Sequence, residues 1–240
     1  MPTIPPVPIL LYHKIGDPPP RARVPGQYVS AKLFRKHLAY LAGQGYAGVS
    51  LTHLTKPERG LPPKPIVITF DDGYHCLYRE ALPLLREHGF TATVFVVVEG
   101  IAGVNFWETT VGDVEEPMLT AEQIREMQAA GIEFGSHTLT HPHLSALSVE
   151  EAAREIADSK RRLEELLGRD CSAFAYPYGD WSPALRALVA EAGYRVACTT
   201  RRAAARAGDD RLALPRINIR RYNVLPRFRY KLWRAMRSAS

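Results

Sequence analysis

Asp71 and Asp72 stand side by side where the apolar run IVITF ends, and a glycine, Gly73, follows them. A turn or a helix cap needs only one carboxylate. Two at the end of a buried strand cost repulsion and desolvation, which a bound divalent cation offsets. Backbone geometry aims neighbouring side chains differently, so one carboxylate can ligate a metal while the other faces a reacting water as a base. Further along, GSHTLTHPHLS (residues 135–145) holds His137 and His141, spaced like two ligands of one ion. Neutral imidazole with a carboxylate is a standard donor set for zinc and other divalent ions. The spacing alone is weak, because a pair of histidines is more often structural, and the zinc-protease pattern HExxH is absent, with Thr138 at its glutamate position. Gly135 and Pro142 argue against one continuous helix, which puts the pair in a loop leaving a strand. With Asp72 as third ligand, such a site keeps open positions for water and substrate, as metal-assisted hydrolysis requires.

These residues need elements to hold them. Short β-rich runs alternate with amphipathic segments, an α/β signature. Strands are expected at 9–13, 47–50, 66–70, 92–98, 133–137, 172–176, 195–199 and 212–217. Thr120 with Gln123 and Ser148 with Glu151 form capping boxes, Ser30 and Ser182 are further helix starts, and Gly131, Gly168 and Gly193 close helical runs. Most strands are followed by a helix, which fits either a parallel barrel or an open doubly wound sheet. His13 follows PILLY, Asp71 and Asp72 follow IVITF, His137 follows IEFGS, Tyr176 and Tyr178 follow SAFA, and Arg216 follows LALP. All fall at or just past the carboxyl end of a strand, the edge where parallel α/β proteins build their sites. The stretch from Glu99 to Pro117 is long enough to be a functional loop. No GxGxxG follows the first strand and no P-loop occurs, which weakens a nucleotide-binding reading.

TFDDG (Thr69 to Gly73) and HTLTH (His137 to His141) resemble the first two motifs of the polysaccharide deacetylase family, the NodB-homology or carbohydrate esterase family 4 enzymes. The resemblance runs from about Ile9 to Ile217. It implies a distorted (β/α)7 barrel that removes N-acetyl groups from amino sugars with one divalent metal ion, zinc first, with cobalt, nickel or iron as other candidates. It makes Asp71 the general base and Asp72, His137 and His141 the metal ligands. AYPYG, residues 175–179, matches the third motif in part: Ala175 stands where that motif has an arginine, whereas Tyr178 keeps its place, with its backbone amide expected at the oxyanion. Arg216 is the candidate to replace the missing charge, against the alternative of a surface salt bridge. The family's late Leu-x-His is absent near the C-terminus, but LYH occurs at Leu11 to His13, as in the poly-N-acetylglucosamine deacetylase subgroup with its permuted motif order. That resemblance makes His13 the general acid, against a core or supporting histidine. Tyr176, Trp107 and Trp181 are candidates to contact or stack on a sugar ring, with aromatic packing the alternative for the tryptophans.

The 240 residues, 46% apolar and 23% charged, suit one soluble globular domain over 1–220, followed by a basic, helical tail over 221–240. Three scattered cysteines suggest neither a disulfide framework nor a thiolate zinc cage. The net charge is +6, with many arginines late in the chain. Such a run is more often a solvated face, but the tail RFRYKLWRAMR offers peripheral contact with an anionic membrane. The expected partner is an N-acetylated glycan or glycan precursor, not nucleic acid. The proline-rich N-terminus and the lack of a long apolar run suggest a cytoplasmic protein. A small amide, a nucleotide- or lipid-linked sugar, or a metal-less glycan-binding role are the other readings.

Overall fold

The computed structural model describes residues 6–55 and 60–237; the first prolines of the N-terminus and the last three residues of the basic tail lie outside them. The strands in chain order are β1 (Ile9–Tyr12), β2 (Lys14–Ile15), β3 (Tyr28–Val29), β4 (Ala47–Gly48), β5 (Pro65–Phe70), β6 (Thr93–Val96), β7 (Glu133–Ser136), β8 (Ala173–Ala175), β9 (Val196–Cys198) and β10 (Ile217–Asn218). The helices are α1 (Ala31–Gly43), α2 (Leu82–Glu87), α3 (Phe106–Thr109), α4 (Ala121–Ala129), α5 (Val149–Leu167), α6 (Pro183–Glu191) and α7 (Leu225–Arg237).

The main sheet runs β10-β1-β5-β6-β7-β8-β9, all parallel, with β4 added to β5 and with β2 and β3 forming a separate pair. This is the curled sheet of a distorted (β/α)7 barrel. Its two ends meet through one segment. Leu214 exchanges backbone hydrogen bonds with Ala197 and Thr199 beyond β9, and three residues later Ile217 pairs with Leu10 of β1. The strand expected over 212–217 is therefore shifted to Ile217–Asn218. Pro215 has no N–H to continue a ladder, so the chain changes partners there instead of extending one strand.

Period-two alternation sorts side chains between two cores. Leu10, Tyr12, Ile66, Ile68, Phe70, Phe134, Phe174 and Tyr176 pack outward under the helices. Ile9, Val67, Phe95, Ala173, Ala175, Cys198 and Leu214 fill the inside of the barrel. The inward parity of β5 runs Val67, Thr69, Asp71, so the strand that buries Val67 also delivers one carboxylate into the barrel. The caps form as expected: both capping boxes are complete, Ser30 and Ser182 accept from Leu33 and Leu185, and Gly168 closes α5 at φ 64°.

Candidate active site

β5 and its following turn separate the two aspartates. The Asp71 amide still donates to the Tyr12 carbonyl at 3.0 Å, continuing the strand pairing. At Asp72 the backbone turns left-handed, φ 74°, and Gly73 follows at φ 87°. A Cβ on Gly73 would stand 2.8 Å from Val96 Cγ1, so only glycine fits this turn. The two carboxylates consequently meet different neighbours. Asp71 is gripped at both oxygens by Arg216: Nη1 donates to Oδ1 at 2.6 Å and Nη2 to Oδ2 at 2.7 Å. Asp72 Oδ1 faces His137 Nε2 and His141 Nε2, each at 3.5 Å.

The histidines come from the end of β7 and the turn beyond it. The His137 amide donates to Val96, and its Nδ1 donates to the Ala175 carbonyl at 2.7 Å, which leaves the lone pair on Nε2, toward Asp72. Thr138 and His141 are both left-handed, at φ 69° and 63°. Glu155 on α5 holds this turn: its carboxylate accepts from the amides of Leu139 and Thr140 and from the Thr140 hydroxyl, at 2.9, 3.0 and 2.7 Å. Asp72 and Tyr178 share the left-handed conformation, so non-glycine residues of this strained kind cluster around one cleft.

Charge and burial divide the site. Burial pushes the Asp71 carboxyl upward, but the Arg216 guanidinium outweighs it and holds the pKa at about 2. Burial also lowers His137 and, more strongly, His141, so both imidazoles are neutral at pH 7 and Arg216 is the charge that fixes Asp71. Asp72 moves the other way, well above the usual range, first through burial and then through the carboxylates of Glu108 and Asp71. His13 is pushed down to about 4 by burial, against the pull of Asp71.

One carboxylate oxygen and two imidazole nitrogens, from Asp72, His137 and His141, lie within 4.8 Å of one another and are buried. Neutral imidazoles beside a carboxylate that is repelled by two others fit a divalent cation. Among the described residues this is the cluster that could hold a metal ion.

The site is the floor of a cleft of about 650 Å³ lined also by His13, Trp107, Glu108, His143, Tyr178 and Arg220. Residues 58–197 match the family model for polysaccharide deacetylase. The chain belongs to the polysaccharide deacetylase family. Over 220 residues it is 31% identical to the Bacillus subtilis (strain 168) protein YxkH, whose name places it among the polysaccharide deacetylases; the match covers 89% of this chain and 71% of that one. It is 30% identical over 141 residues to the poly-beta-1,6-N-acetyl-D-glucosamine N-deacetylase of Escherichia coli (strain K12), covering 53% of this chain and 20% of that enzyme. The fold is similar to that of the Streptococcus pyogenes deacetylase PplD in complex with acetate, with a TM-score of 0.81 and 28% identity over 97% of this chain and 99% of that one.

Within this deacetylase frame the expected site residues part company. Asp71, Asp72, His137, His141, His13, Trp107 and Tyr178 meet at the cleft, with Arg216 buried beneath it. Trp107 stacks on His141, ring centroids 5.2 Å apart at 30°. Tyr176 does not reach the cleft: it is fully buried, shares the outward parity of Phe174, and donates its hydroxyl to the Leu212 carbonyl at 3.0 Å. It packs in the outer core, away from the cleft lining. Trp181 is exposed at the approach to α6 and lies outside the cleft lining.

Three participants escape a sequence reading. His143 stacks on Tyr178 at 3.8 Å. Glu108 on α3 accepts from Lys14, Tyr74 and Asn105 at 2.9, 2.8 and 2.7 Å. Glu155 braces the histidine turn. Lys14 and Glu108 are 94 residues apart, and no local pattern connects them. A polar residue at i+3 in the candidate loop, Glu108 after Asn105, was the available hint.

Proposed function

We propose that this protein is a metal-dependent hydrolase that removes the N-acetyl group from an amino sugar in a polysaccharide, oligosaccharide or glycan precursor. The observation that carries the reading is the pairing of a buried Asp72–His137–His141 donor set with an Arg216-held Asp71 at the floor of one cleft. Family membership supports the reaction class, and the activity for which the E. coli relative is named supports an N-acetylglucosamine polymer.

Asp72, His137 and His141 would hold the ion, and two imidazoles with one carboxylate suit zinc, with cobalt, nickel or iron as alternatives. When bound, the ion supplies a Lewis acid for the amide oxygen and acidity for a water. Asp71 would accept a proton from the attacking water, and its pKa of about 2 keeps it ionised and ready to do so at every working pH. Arg216 orients Asp71 without leaving either oxygen to rotate. The Tyr178 amide stabilises the developing oxyanion, worth roughly 100-fold to 1,000-fold for one well-placed donor. His13, neutral in the resting cleft, takes up the proton that Asp71 removed from the water and hands it to the departing amine as the C–N bond breaks, so acetate and the free amine leave and both groups return to their starting states. Trp107 and Tyr178 give the sugar ring apolar faces.

Acetate release from chito-oligosaccharides and poly-N-acetylglucosamine fragments, with and without chelator, tests this directly. Release that chelation abolishes and zinc restores is expected; no release from any N-acetylated sugar by metal-loaded protein would overturn it and favour a glycan-binding role.

The basic tail supports a second element of the reading, peripheral contact with an anionic membrane. On α7, Tyr230 and Trp233 are exposed and stacked, rings 5.9 Å apart, and Arg237 lies over Trp233 at 4.9 Å. Aromatic rings interleaved with arginines suit a headgroup layer.

A further inference from the structure

The cations of the cleft differ in what they face. Arg23 is engaged: its amide donates to Asp113 Oδ1 at 2.8 Å and its Nη1 to the Val111 carbonyl at 2.7 Å, tying the 16–27 loop to the loop after α3. Arg202, beyond β9, and Arg220, beyond β10, line the same cleft as the aspartates, yet among the described residues neither pairs with a carboxylate. The neighbouring Arg201 approaches Asp209 at 3.8 Å, so that acid serves the residue before Arg202. Arg220 is held against the 16–27 loop, with its Nη1 3.4 Å from where a Cβ on Gly26 would stand.

A third cation lies behind them. Lys231 of α7 is half-buried and donates to the Asn218 carbonyl and to Asn223 Oδ1, neutral groups that leave its charge uncompensated. Its pKa is pushed down to about 8, first by burial and then by the charges of Arg202, Arg220 and Arg227. Like charges gathered on one wall repel one another, and a bound anion would relieve the repulsion. The same wall has buried acceptors without donors: among the described residues Gln27 Oε1 and Asn218 Oδ1 have no hydrogen-bond partner, and both residues line the cleft. An unpaired buried acceptor is costly until a ligand hydroxyl or amide reaches it. In strand order this wall, at β9 and β10, stands across the barrel from the β6 loop that carries Trp107 and Glu108.

We propose that Arg202 and Arg220 form a subsite for an anionic group on the glycan, a carboxylate or a phosphate, while Gln27 and Asn218 accept hydrogen bonds from the adjoining sugar. The preferred substrate is then a glycan that carries an acidic group beside the N-acetylated sugar. This rests on the deacetylase reading above for the identity of the sugar. Arginine's planar fork matches both oxyanions, and two arginines from adjacent loops can share one.

Titration calorimetry on the zinc-loaded full chain tests the subsite without turnover, using three probes: chitobiose, a disaccharide of N-acetylglucosamine and N-acetylmuramic acid, and N-acetylglucosamine 1-phosphate. At least one anionic probe is expected to bind about tenfold more tightly than chitobiose, and which one does so separates carboxylate from phosphate. In the Arg202→Gln/Arg220→Gln double variant that ratio is expected to fall to about twofold or less, and added salt should erode it in the parent protein. Equal affinities for all three probes, or a ratio that survives in the double variant, would overturn the subsite. Acetate release measured in parallel keeps the two readings apart: discrimination without release removes the deacetylase assignment and leaves the anion site, whereas release without discrimination does the reverse.

Discussion

Arg216 spends its guanidinium entirely inside the protein. Nε donates to the Thr199 carbonyl at 3.0 Å, Nη1 to Thr69 and Asp71, and Nη2 to Asp71, with the group 5.7 Å from the Phe95 ring centroid. Ala175, small and inward-facing, lines the same barrel interior as Phe95, the ring that Arg216 approaches. A lysine could keep the charge but not the fork. Arg216→Lys should therefore lower kcat/KM by roughly 100-fold, as a misplaced base does, while near-ultraviolet circular dichroism remains that of the folded protein. The sign of the accompanying pH effect is fixed: Asp71 must be ionised, its pKa is held low by Arg216, and loosening that grip raises it, so the acid limb of the rate profile should move to higher pH. An unmoved limb would mean that Asp71 is not the base. His13 and Arg216 were legible from sequence because each follows an apolar run at a strand end. Tyr176, which the same rule places at the cleft, packs away from it, and parity explains why: one residue past Ala175, it shares Phe174's outward face.

The turn after β7 depends on a helix distant in sequence. Glu155, near the middle of the first half of α5, accepts three hydrogen bonds from Leu139 and Thr140 and so sets where His141 stands relative to His137. Glu155→Ala should weaken zinc affinity by about 10- to 100-fold, the usual effect of removing a group that orients a ligand, with little loss of helix content. A competition titration with a chelating dye reads this. The histidine motif itself shows no trace of Glu155, since a helix face meets a loop only after folding. A second helix contact responds to acid. His37 of α1 stacks on Phe228 of α7 with centroids 4.0 Å apart, Nε2 donates to the Asn223 carbonyl at 2.8 Å, and the Tyr12 hydroxyl donates to Nδ1 at 3.1 Å. Burial, only partly opposed by the Asn223 bond, lowers its pKa to about 4. The folded value lies below the unfolded one, so His37's share of stability is whole above pH 6.5 and is lost as the pH falls through 4. That share is of the order of 3 kcal/mol. Melting temperature should drop across this window, and a His37→Gln variant should show a shallower drop.

At the scale of the whole molecule, the net charge of +6 is unevenly spent. Part lies inside with Arg216, part lines the cleft, and part stands on α7, whose Phe228, Leu232 and Ala235 pack inward while Tyr230, Trp233 and its arginines are exposed. Liposome flotation should recover the protein with vesicles containing phosphatidylserine and not with phosphatidylcholine alone; failure to float with either would end the membrane proposal. Among the described residues no helix is long and apolar enough to cross a bilayer. The alternation of strands and helices was readable because apolar period and caps are local. Barrel against open sheet was not legible in that alternation and came from the motif resemblance, because closure depends on one partner exchange at Pro215 between segments far apart in sequence. That exchange also orders events during synthesis. β1 leaves the ribosome some two hundred residues before its β10 neighbour. Until then β1 presents an open parallel edge and Asp71 lacks its arginine, so the nascent chain carries a sticky strand and an inactive site together. Activity should be gained and chaperone dependence lost at the same chain length.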